Sequence, residues 1–252
     1  MSVPPSQHSA APPSTNDTAA SSPPPESRVY WTTADGLDPA ALRRLTAELS
    51  EEEARQAGAF HFVRDRATYI AAHAMLRRVL REALGGERPR FVRNPLGRPE
   101  LKPRRYGAPA PSFNLTHSGD FAACAILDGA PVGIDAEDIR RPINVGEMAA
   151  RWFAPAERQL LEQLPETRRT EMFFRIWTLK EAIVKATGHG LRIEPQLFTV
   201  HPERRHAIIA KDLGIPTRWR LAELTPLSHI RLAVAVPGYG QWQLSLAHIE
   251  LG

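Results

Sequence analysis

The sequence predicts an α+β fold made of two pseudo-symmetric α/β halves, with the functional site at the seam between them. Each half contains one long helical pattern, over residues 68–84 and 169–186. Each half also contains a strand rich in small and branched apolar residues, over residues 121–126 and 232–236. No internal repeat is strict enough to prove a duplication, so the predicted symmetry depends on this matching order of elements.

The composition excludes several classes of protein. Of 252 residues, 42% are hydrophobic and 24% charged, and the mean hydropathy is −0.32, which excludes a fibre, a membrane channel and a wholly disordered chain. The single cysteine, Cys124, excludes an internal disulfide and a cysteine-built metal site, and favours a reducing, cytoplasmic compartment. The net charge of +4 favours anionic partners. The longest apolar run, Phe121–Leu127, is the length of a strand and not of a membrane span.

The first 27 residues differ from the rest of the chain. Seven of the 23 prolines precede Ser27, among Ser, Thr, Ala and Gln, and such a composition cannot build a core. The segment has no apolar signal region and no Lys or Arg, so it is neither a secretory signal nor a transit peptide. We therefore expect a disordered, dispensable tail over residues 1–27, followed by halves at 28–130 and 131–252.

The first half begins with a strand at residues 29–33 and continues with one helix over residues 39–59. In the next helix, residues 68–84, apolar side chains recur every three or four positions, and Gly85 and Gly86 end it. Residues 88–111 are broken by prolines and rich in arginine, which predicts short strands and loops. Residues 121–127 and 132–135 then have the pattern of two paired strands joined by a turn.

The second half begins with three helices. They are predicted at about 147–152, from 155 onwards, and at 169–186, where Gly188 and Gly190 end the last one. Five strands follow, at residues 198–200, 207–210, 218–223, 229–236 and 241–249.

Two carboxylates lie in the segment VGIDAED, residues 132–138. Residues two apart on a strand point to the same side, so Asp135 and Glu137 lie side by side while Ile134 points into the core. Two adjacent carboxylates repel each other, and a Mg²⁺ ion that also accepts phosphate oxygens relieves this repulsion. The alternative is two solvated acids at the end of a strand.

The second long helix carries an aromatic, a carboxylate and an ammonium group on successive turns. Trp177, Glu181 and Lys185 lie at a spacing of four, beside an apolar face. If Glu181 faces Asp135 and Glu137, three carboxylates meet, and Lys180 and Lys185 supply cations for a pyrophosphate. The alternative is an ordinary surface pair between Glu181 and Lys185.

A third segment, FNLTHSGD at residues 113–120, combines a hydroxyl, an imidazole and a glycine before a strand. Such a loop can hold phosphate through backbone N–H groups and a charged His117. The alternative is a histidine satisfied by a neighbouring backbone group.

Together these segments resemble the Sfp-type 4'-phosphopantetheinyl transferases. Members of that family show an F-N-[ILV]-[ST]-H-[ST] loop, a G-[IV]-D-x-E segment and a W-x-x-K-E-[AS]-x-x-K helix closed by G-x-G-[LI], in the order found here. The resemblance extends to residues 64–66, 93–99 and 151–157, and fades before residue 29 and after residue 197. It implies the fold of that family, with the active site at the seam.

The resemblance also implies an activity: transfer of phosphopantetheine from coenzyme A to a serine of an acyl or peptidyl carrier protein, with release of adenosine 3',5'-bisphosphate. Mg²⁺, or Mn²⁺ in its place, would bind Asp135, Glu137 and Glu181. Glu181 is the first candidate for the base and Glu157 the second, with Lys185 as the cation at the phosphates. By family position, the coenzyme A contacts would be Arg93, Gly97, Arg98, Asn114, Thr116, His117, Lys180 and Lys185.

Two positions, Gln56 and Arg98, depart from the family pattern. A basic residue is usual where this chain has Gln56, which makes the neighbouring Arg55 a candidate phosphate contact, and Arg98 replaces the usual lysine. His73, in the middle of a helix, is expected to be a packing residue. The pathway served by the carrier protein stays open among fatty-acid, polyketide and non-ribosomal peptide synthesis, and we expect a monomer.

Two other functions compete with the transferase. A basic nucleic-acid-binding module would use the arginines of residues 88–105, but it would leave the carboxylates unexplained, and this stretch lacks interleaved aromatic residues. A metal-dependent phosphohydrolase would cleave coenzyme A with no carrier protein present.

Overall fold

The computed structural model describes residues 26–103, 110–209, 213–238 and 241–252. Most of the expected tail lies outside these ranges. Strand β1 (Glu26–Thr33) contains the last two residues of the expected tail. Ser27 is buried and its hydroxyl accepts a hydrogen bond from the Trp242 indole at 3.0 Å, so it belongs to the folded part.

The first half contains three helices and five strands within the described ranges. The helices are α1 (Pro39–Thr46), α2 (Glu51–Gly58) and α3 (Val63–Ala83), and the further strands are β2 (Phe91–Arg93), β3 (Pro99–Leu101), β4 (Ser112–Ser118) and β5 (Phe121–Leu127). The prediction of one helix over residues 39–59 is wrong. Ser50 caps a new helix reciprocally with Glu53, and this capping box breaks the run into α1 and α2.

In the second half, the predicted helices and strands are present, with their ends shifted by a few residues, except that the expected strand residue Ala210 lies outside the described residues. The elements are β6 (Gly133–Asp138), α4 (Val145–Trp152), α5 (Pro155–Gln163), α6 (Glu166–Thr187), β7 (Thr199–His201), β8 (His206–Ile208), β9 (Arg218–Leu224), β10 (Ile230–Pro237) and β11 (Gln243–His248).

The described strands form two larger sheets and one small hairpin. Their orders are β11-β1-β5-β4, β6-β10-β9-β8-β7 and β2-β3. The predicted pairing of residues 121–127 with 132–135 is therefore wrong. Both edges of β5 are already occupied, by β1 and β4, so the chain crosses to the other sheet, where β6 pairs with β10.

The last strand returns to the first sheet. β11 pairs in parallel with β1, with Glu26 opposite Gln243 and Trp31 opposite His248. The predicted boundary at residue 130 places β11 in the second half of the sequence. In the structure, β11 completes the sheet of the first half.

Each half packs one long helix against its sheet, α3 against the first and α6 against the second. On β5, Ala122, Cys124 and Ile126 belong to the core under α3, whereas Ala123 and Ala125 belong to an apolar layer shared with β6 and β10. No helix within the described ranges is long and apolar enough to cross a membrane.

Candidate active site

Strand β6 presents its two carboxylates to α6. Ile134 and Ala136 pack into the apolar layer between the sheets, and the period of two therefore turns Asp135 and Glu137 to the opposite side. Asp135 is only 6% exposed. Its Oδ1 atom lies 2.6 Å from Lys185 Nζ, while its Oδ2 atom is buried and has no hydrogen-bond partner among the described residues. Burial raises the pKa of Asp135, and Lys185 partly offsets this rise.

Glu137 is held from two sides. Trp177 Nε1 donates to its Oε1 atom at 2.9 Å, and Arg141 Nη2 lies 3.2 Å from its Oε2 atom. Burial and the charge of Asp135 raise the pKa of Glu137, against the opposing effect of Arg141. The indole and the guanidinium fix this carboxylate. The sequence analysis did not predict the role of Arg141, whose only indication was its spacing of four from Glu137.

Glu181 completes the group of carboxylates. Burial, followed by the charge of Asp135, raises its pKa from 4.5 to about 7, and Glu137 adds to this rise while Lys185 opposes it. Asp135, Glu137 and Lys185 all act on the pKa of Glu181, so these four charged groups lie within electrostatic reach of one another. The simple surface pair between Glu181 and Lys185 is therefore not the arrangement found.

Residues 113–120 were expected to be a loop, but most of them form strand β4, which pairs with β5. The side chains of β4 close the seam between the sheets. The backbone N–H groups of Ile134, Ala136 and Asp138 donate to Asn114 Oδ1, Thr116 Oγ1 and Ser118 Oγ, at 3.0, 3.2 and 2.9 Å respectively. Alternate side chains of β4 thus satisfy alternate backbone donors along the edge of β6. In this structure Asn114 and Thr116 position the carboxylate strand; a phosphate contact, as implied by the resemblance, would be additional.

Three of the predicted coenzyme A contacts, Thr116, His117 and Lys185, lie near the carboxylates. Lys185 Nζ donates to Thr116 Oγ1 at 3.1 Å, besides its contact with Asp135. The pKa of His117 is lowered by burial and then by the charge of Lys185, so the imidazole lies within electrostatic reach of the ammonium group. No backbone group among the described residues hydrogen-bonds to the ring of His117, although this was the alternative drawn from the sequence.

Lys180 and Glu157 do not lie with the other site residues, contrary to expectation. Lys180 is fully buried and its Nζ atom lies 2.8 Å from Glu157 Oε2, and it also donates to the carbonyls of Pro195 and Phe198. Consecutive helix residues point about 100° apart, so Lys180 cannot share the face of Glu181. Glu157 in turn accepts from the Val200 backbone N–H. This buried ion pair joins α5, α6 and β7.

Arg98 also has a different environment from the one expected. Its Nη1 atom donates to the carbonyls of Lys185 and Ala186, and its Nη2 atom to those of Phe113 and Val132. The guanidinium therefore caps the end of α6 and ties it to the start of β4. Four carbonyls occupy these two nitrogens, so Arg98 clamps the end of α6 in place. Arg98 also lines the cavity beside β4, and its contact with coenzyme A stays a prediction.

Gly97 and Arg93 belong to the β2–β3 hairpin. Gly97 has a φ of +86° and its N–H donates to the Asn94 carbonyl, which explains a glycine in this turn. The side chain of Arg93 is 68% exposed and lies 3.4 Å from Glu52. Arg55 is exposed and its Nε atom donates to the Glu51 carbonyl; it is not among the residues that line the cavity beside β4.

This cavity, of about 360 Å³, lies beside β4. Its lining includes Gln56, Tyr69, His73, Arg93 and Asn114. Tyr69 stacks on His73 with ring centroids 4.1 Å apart. His73 was expected to be only a packing residue, but its ring is part of the wall of this cavity.

Glu53 anchors the wall. His73 Nδ1 lies 3.1 Å from its Oε1 atom and Arg77 Nε 2.6 Å from its Oε2 atom. Despite burial, these hydrogen bonds lower the pKa of Glu53 to about 2. Glu53 is thus ionised and fixes His73, a pairing across 20 residues that the sequence pattern did not reveal.

The carboxylates suit a divalent cation by donor type and by charge. Asp135 Oδ2 is a buried oxygen with no described partner, and the raised pKa values of Asp135, Glu137 and Glu181 show negative charges that a cation would stabilise. No three acidic, histidine or cysteine side chains within the described ranges form a ready-made metal cluster. By donor type and charge the three carboxylates fit a divalent cation, although among the described residues they are not gathered into a metal-binding group.

Comparison with known proteins matches two family models to this chain. Residues 38–127 match the "4'-phosphopantetheinyl transferase, N-terminal" model, and residues 131–244 match the "4'-phosphopantetheinyl transferase superfamily" model. The 4'-phosphopantetheinyl transferase HetI of Nostoc is 36% identical over 82% of this chain and 86% of its own length. The chain belongs to the Sfp-type 4'-phosphopantetheinyl transferases. The family's namesake, Sfp of Bacillus subtilis, is 30% identical over 57% of this chain and 63% of its own length.

The family membership makes this protein an enzyme of the 4'-phosphopantetheinyl transferase class and confirms the predicted α+β fold. A solved structure, the holo-[acyl-carrier-protein] synthase of Thermotoga maritima, is 24% identical and aligns with a TM-score of 0.36. The aligned region covers 42% of this chain and 62% of the Thermotoga maritima chain. The boundary between the two family models, at residues 127–131, falls at the crossing from β5 to β6.

Proposed function

We propose that this transferase moves 4'-phosphopantetheine from coenzyme A to a serine hydroxyl of an acyl or peptidyl carrier protein, in a magnesium-dependent reaction. In the transfer, the serine oxygen bonds to the β-phosphorus of coenzyme A, the bond from that phosphorus to the bridging oxygen breaks, and adenosine 3',5'-bisphosphate leaves. The observation that carries the proposal is the contact of Asp135 with Lys185 at 2.6 Å, in electrostatic reach of Glu181 and Glu137.

Glu181 is the best candidate for the base. In the metal-free protein, burial and the neighbouring carboxylates raise its pKa to about 7, so this carboxylate has the proton affinity that a general base needs. Glu157, the second candidate from the sequence, is paired with Lys180 and only 2% exposed. A buried group on the far side of α6 cannot reach a carrier serine, which leaves Glu181 in this role.

Lys185 is the candidate cation for the phosphates. Asp135 and Thr116 orient its ammonium group, and a partly exposed side chain can turn its remaining donor to a phosphate oxygen. His117, within electrostatic reach of Lys185, can donate a second hydrogen bond. When bound to Asp135, Glu137 and Glu181, Mg²⁺ or Mn²⁺ would neutralise charge on the pyrophosphate.

The cavity beside β4 is the candidate site for the nucleotide part of coenzyme A. Its volume of about 360 Å³ falls within the usual range of small-molecule sites. Tyr69 and His73 offer a stacked aromatic wall, and Arg93 offers a guanidinium at the rim. Asn114 lines the cavity and also supports β6, so the cavity adjoins the carboxylates.

Intact-mass analysis of an apo carrier protein tests this function. Incubation with enzyme, coenzyme A and Mg²⁺ should yield a carrier heavier by one phosphopantetheine, and EDTA should prevent the gain. Glu181→Gln should lower the rate by about 100-fold or more. Glu171→Gln is the matched control, because Glu171 lies on the same helix but is 54% exposed and paired with Arg231.

Two results would contradict the proposal. No mass gain with several unrelated carrier proteins would exclude the proposed acceptor. Hydrolysis of coenzyme A in the absence of a carrier protein, at a rate equal to that in its presence, would favour the phosphohydrolase.

A further inference from the structure

A strongly basic groove of about 610 Å³ lies between α3, the segment that joins α1 to α2, and the residues just before β2. Five arginines line it, namely Arg77, Arg78, Arg81, Arg88 and Arg90. Arg88 and Arg90 belong to the basic stretch of residues 88–105 and have no part in the proposed transfer. We call this concavity the arginine groove.

Local structure brings these arginines to one place. Three of them come from α3, at spacings of three and four that put them on one side of the helix. Pro89 is buried, whereas Arg88 and Arg90 on either side of it are exposed. The Arg90 carbonyl accepts from the Lys102 backbone N–H at 2.8 Å. The segment before β2 is therefore anchored by its backbone and its proline, and it presents both arginines to the groove.

Carboxylates neutralise only part of this charge. Arg78 pairs with Glu48 at 2.7 Å, and Arg77 pairs with Glu53 at 2.6 Å. The other acid in the lining, Glu52, lies beside an arginine of the β2–β3 hairpin that does not line the groove. The acidic residues of this region thus already have partners.

The other three arginines are uncompensated. Arg81, Arg88 and Arg90 have no ion-pair partner within the described ranges. The Nε atom of Arg81 donates to the Gly86 carbonyl at 3.1 Å, which orients the guanidinium. Cations that line one concavity repel each other, so an anion bound among them is strongly stabilised.

The arginine groove is distinct from the cavity proposed for the nucleotide part of coenzyme A. Glu53 separates the two: its Oε2 atom accepts from Arg77 in the groove, and its Oε1 atom lies 3.1 Å from His73 Nδ1 in the wall of the cavity. None of the described residues that line the groove belongs to the carboxylate group or is Lys185.

We propose that the arginine groove binds a short chain of phosphates, as in inorganic triphosphate or the triphosphate of a nucleotide. Planar guanidinium groups bind phosphate oxygens through paired hydrogen bonds. A chain of phosphates supplies several charges in one ligand, which matches three uncompensated cations better than a single phosphate does. The volume of the groove falls within the usual range of small-molecule sites.

The aromatic content of the groove argues against a nucleic acid. Single strands bind where bases stack on free aromatic faces. Phe91 is the one aromatic residue among the described residues of the lining. Its ring is already covered by the Arg77 guanidinium, 5.4 Å from the ring centroid, and packs on Phe113 at a centroid distance of 5.4 Å.

Isothermal titration calorimetry of the full chain with sodium tripolyphosphate tests the proposal. The buffer contains EDTA, so that no divalent cation holds the ligand at the active-site carboxylates. We expect one saturable site whose affinity falls as salt rises, because the arginines are exposed. Arg88→Gln/Arg90→Gln should lower the affinity about tenfold or more. The melting temperature should stay unchanged, because neither side chain has an ion-pair partner among the described residues.

Two further variants show where the ligand binds. Arg168→Gln/Arg204→Gln removes the same charge from two exposed arginines of the second half and should leave the affinity unchanged. Lys185→Gln, in the active site, should also leave it unchanged. ATP in place of tripolyphosphate identifies the source of the phosphates. Equal affinities would show that the groove recognises phosphates alone, and tighter binding of ATP would show that it recognises a nucleotide.

Four results would overturn the proposal. The first is the absence of saturable binding to the wild type, and the second is an equal loss in both arginine double variants, which would show attraction by net charge alone. A loss confined to Lys185→Gln would place the phosphates in the active site. Tighter binding of a single-stranded RNA than of tripolyphosphate, abolished by Arg88→Gln/Arg90→Gln, would assign the groove to nucleic acid. The mass assay tests the proposed transfer separately from all four.

Discussion

Gly133 of β6 lies directly against the backbone of α6, where a β-carbon would collide with the carbonyl oxygen of Ala182. The backbone nitrogen of Ala186, one turn later, lies almost as close to the same position. Glu181 and Lys185 immediately precede these two residues, so this close approach fixes their distance from Asp135. The close packing of β6 against α6 therefore explains why the G-I-D-x-E segment has a glycine at this position.

We expect Gly133→Ala to separate α6 from β6. Backbone atoms cannot move aside cheaply, so the added methyl group should cost about 1–3 kcal/mol of unfolding free energy or more and should lower transfer activity even below the melting temperature. Urea unfolding and the mass assay measure the two effects. Gly58→Ala, in a helix with open space around the site of the new methyl group, is the control and should be neutral or slightly stabilising. Wild-type stability and activity for Gly133→Ala would refute the packing role.

The pKa of Glu181 predicts how stability depends on pH in metal-free buffer with EDTA. Burial and the neighbouring carboxylates raise this pKa from 4.5 to about 7. Between about pH 4.5 and pH 7, the folded protein therefore keeps a proton on Glu181 that the unfolded chain has released. The contribution of Glu181 to the unfolding free energy therefore falls as pH rises from about 4.5 to 7. Glu181→Gln, which cannot ionise, should melt a few degrees above the wild type at about pH 8 and at the same temperature at about pH 4.5. Equal melting temperatures at both pH values would show that Glu181 is not destabilised by its neighbours.

Lys180 should matter for stability rather than for chemistry. Lys180→Met leaves the Glu157 carboxylate buried without its cation and should cost roughly 3–5 kcal/mol. Adding Glu157→Gln removes the orphaned charge and should recover part of the loss. Denaturant titration gives the free energies, and the mass assay at low temperature gives the activity of the folded fraction. A variant with wild-type stability and no transfer activity would instead place Lys180 in the chemistry.

Arg98→Lys tests the clamp at the end of α6. A lysine cannot reproduce a planar guanidinium whose two terminal nitrogens donate to four carbonyls. We expect a loss of about 1–3 kcal/mol in unfolding free energy, whereas Arg93→Lys on the exposed hairpin should change little. Unchanged stability combined with a higher KM for coenzyme A would show that Arg98 contacts the nucleotide, as the family position implied.

Local patterns predicted most of the elements and much of the site. The period of two placed Asp135 and Glu137 on one side of β6, and the spacing of four placed Trp177, Glu181 and Lys185 on one face of α6. The long apolar helices were recognisable because their patterns span several turns. The break between α1 and α2 was missed because one capping box outweighs a continuous run of good helix formers.

The sequence by itself determined which chemical groups this transferase has and the order in which they occur, because spacing along a strand or helix fixes the direction of each side chain. Only the tertiary structure decided their partners. The crossing from β5 to β6, the support of β6 by the side chains of β4 and the return of β11 to β1 all join residues far apart in the chain. The burial of Lys180 against Glu157 and the clamp by Arg98 have the same origin. Such contacts depend on which edges and cavities remain open once the sheets have formed, and no local pattern encodes that.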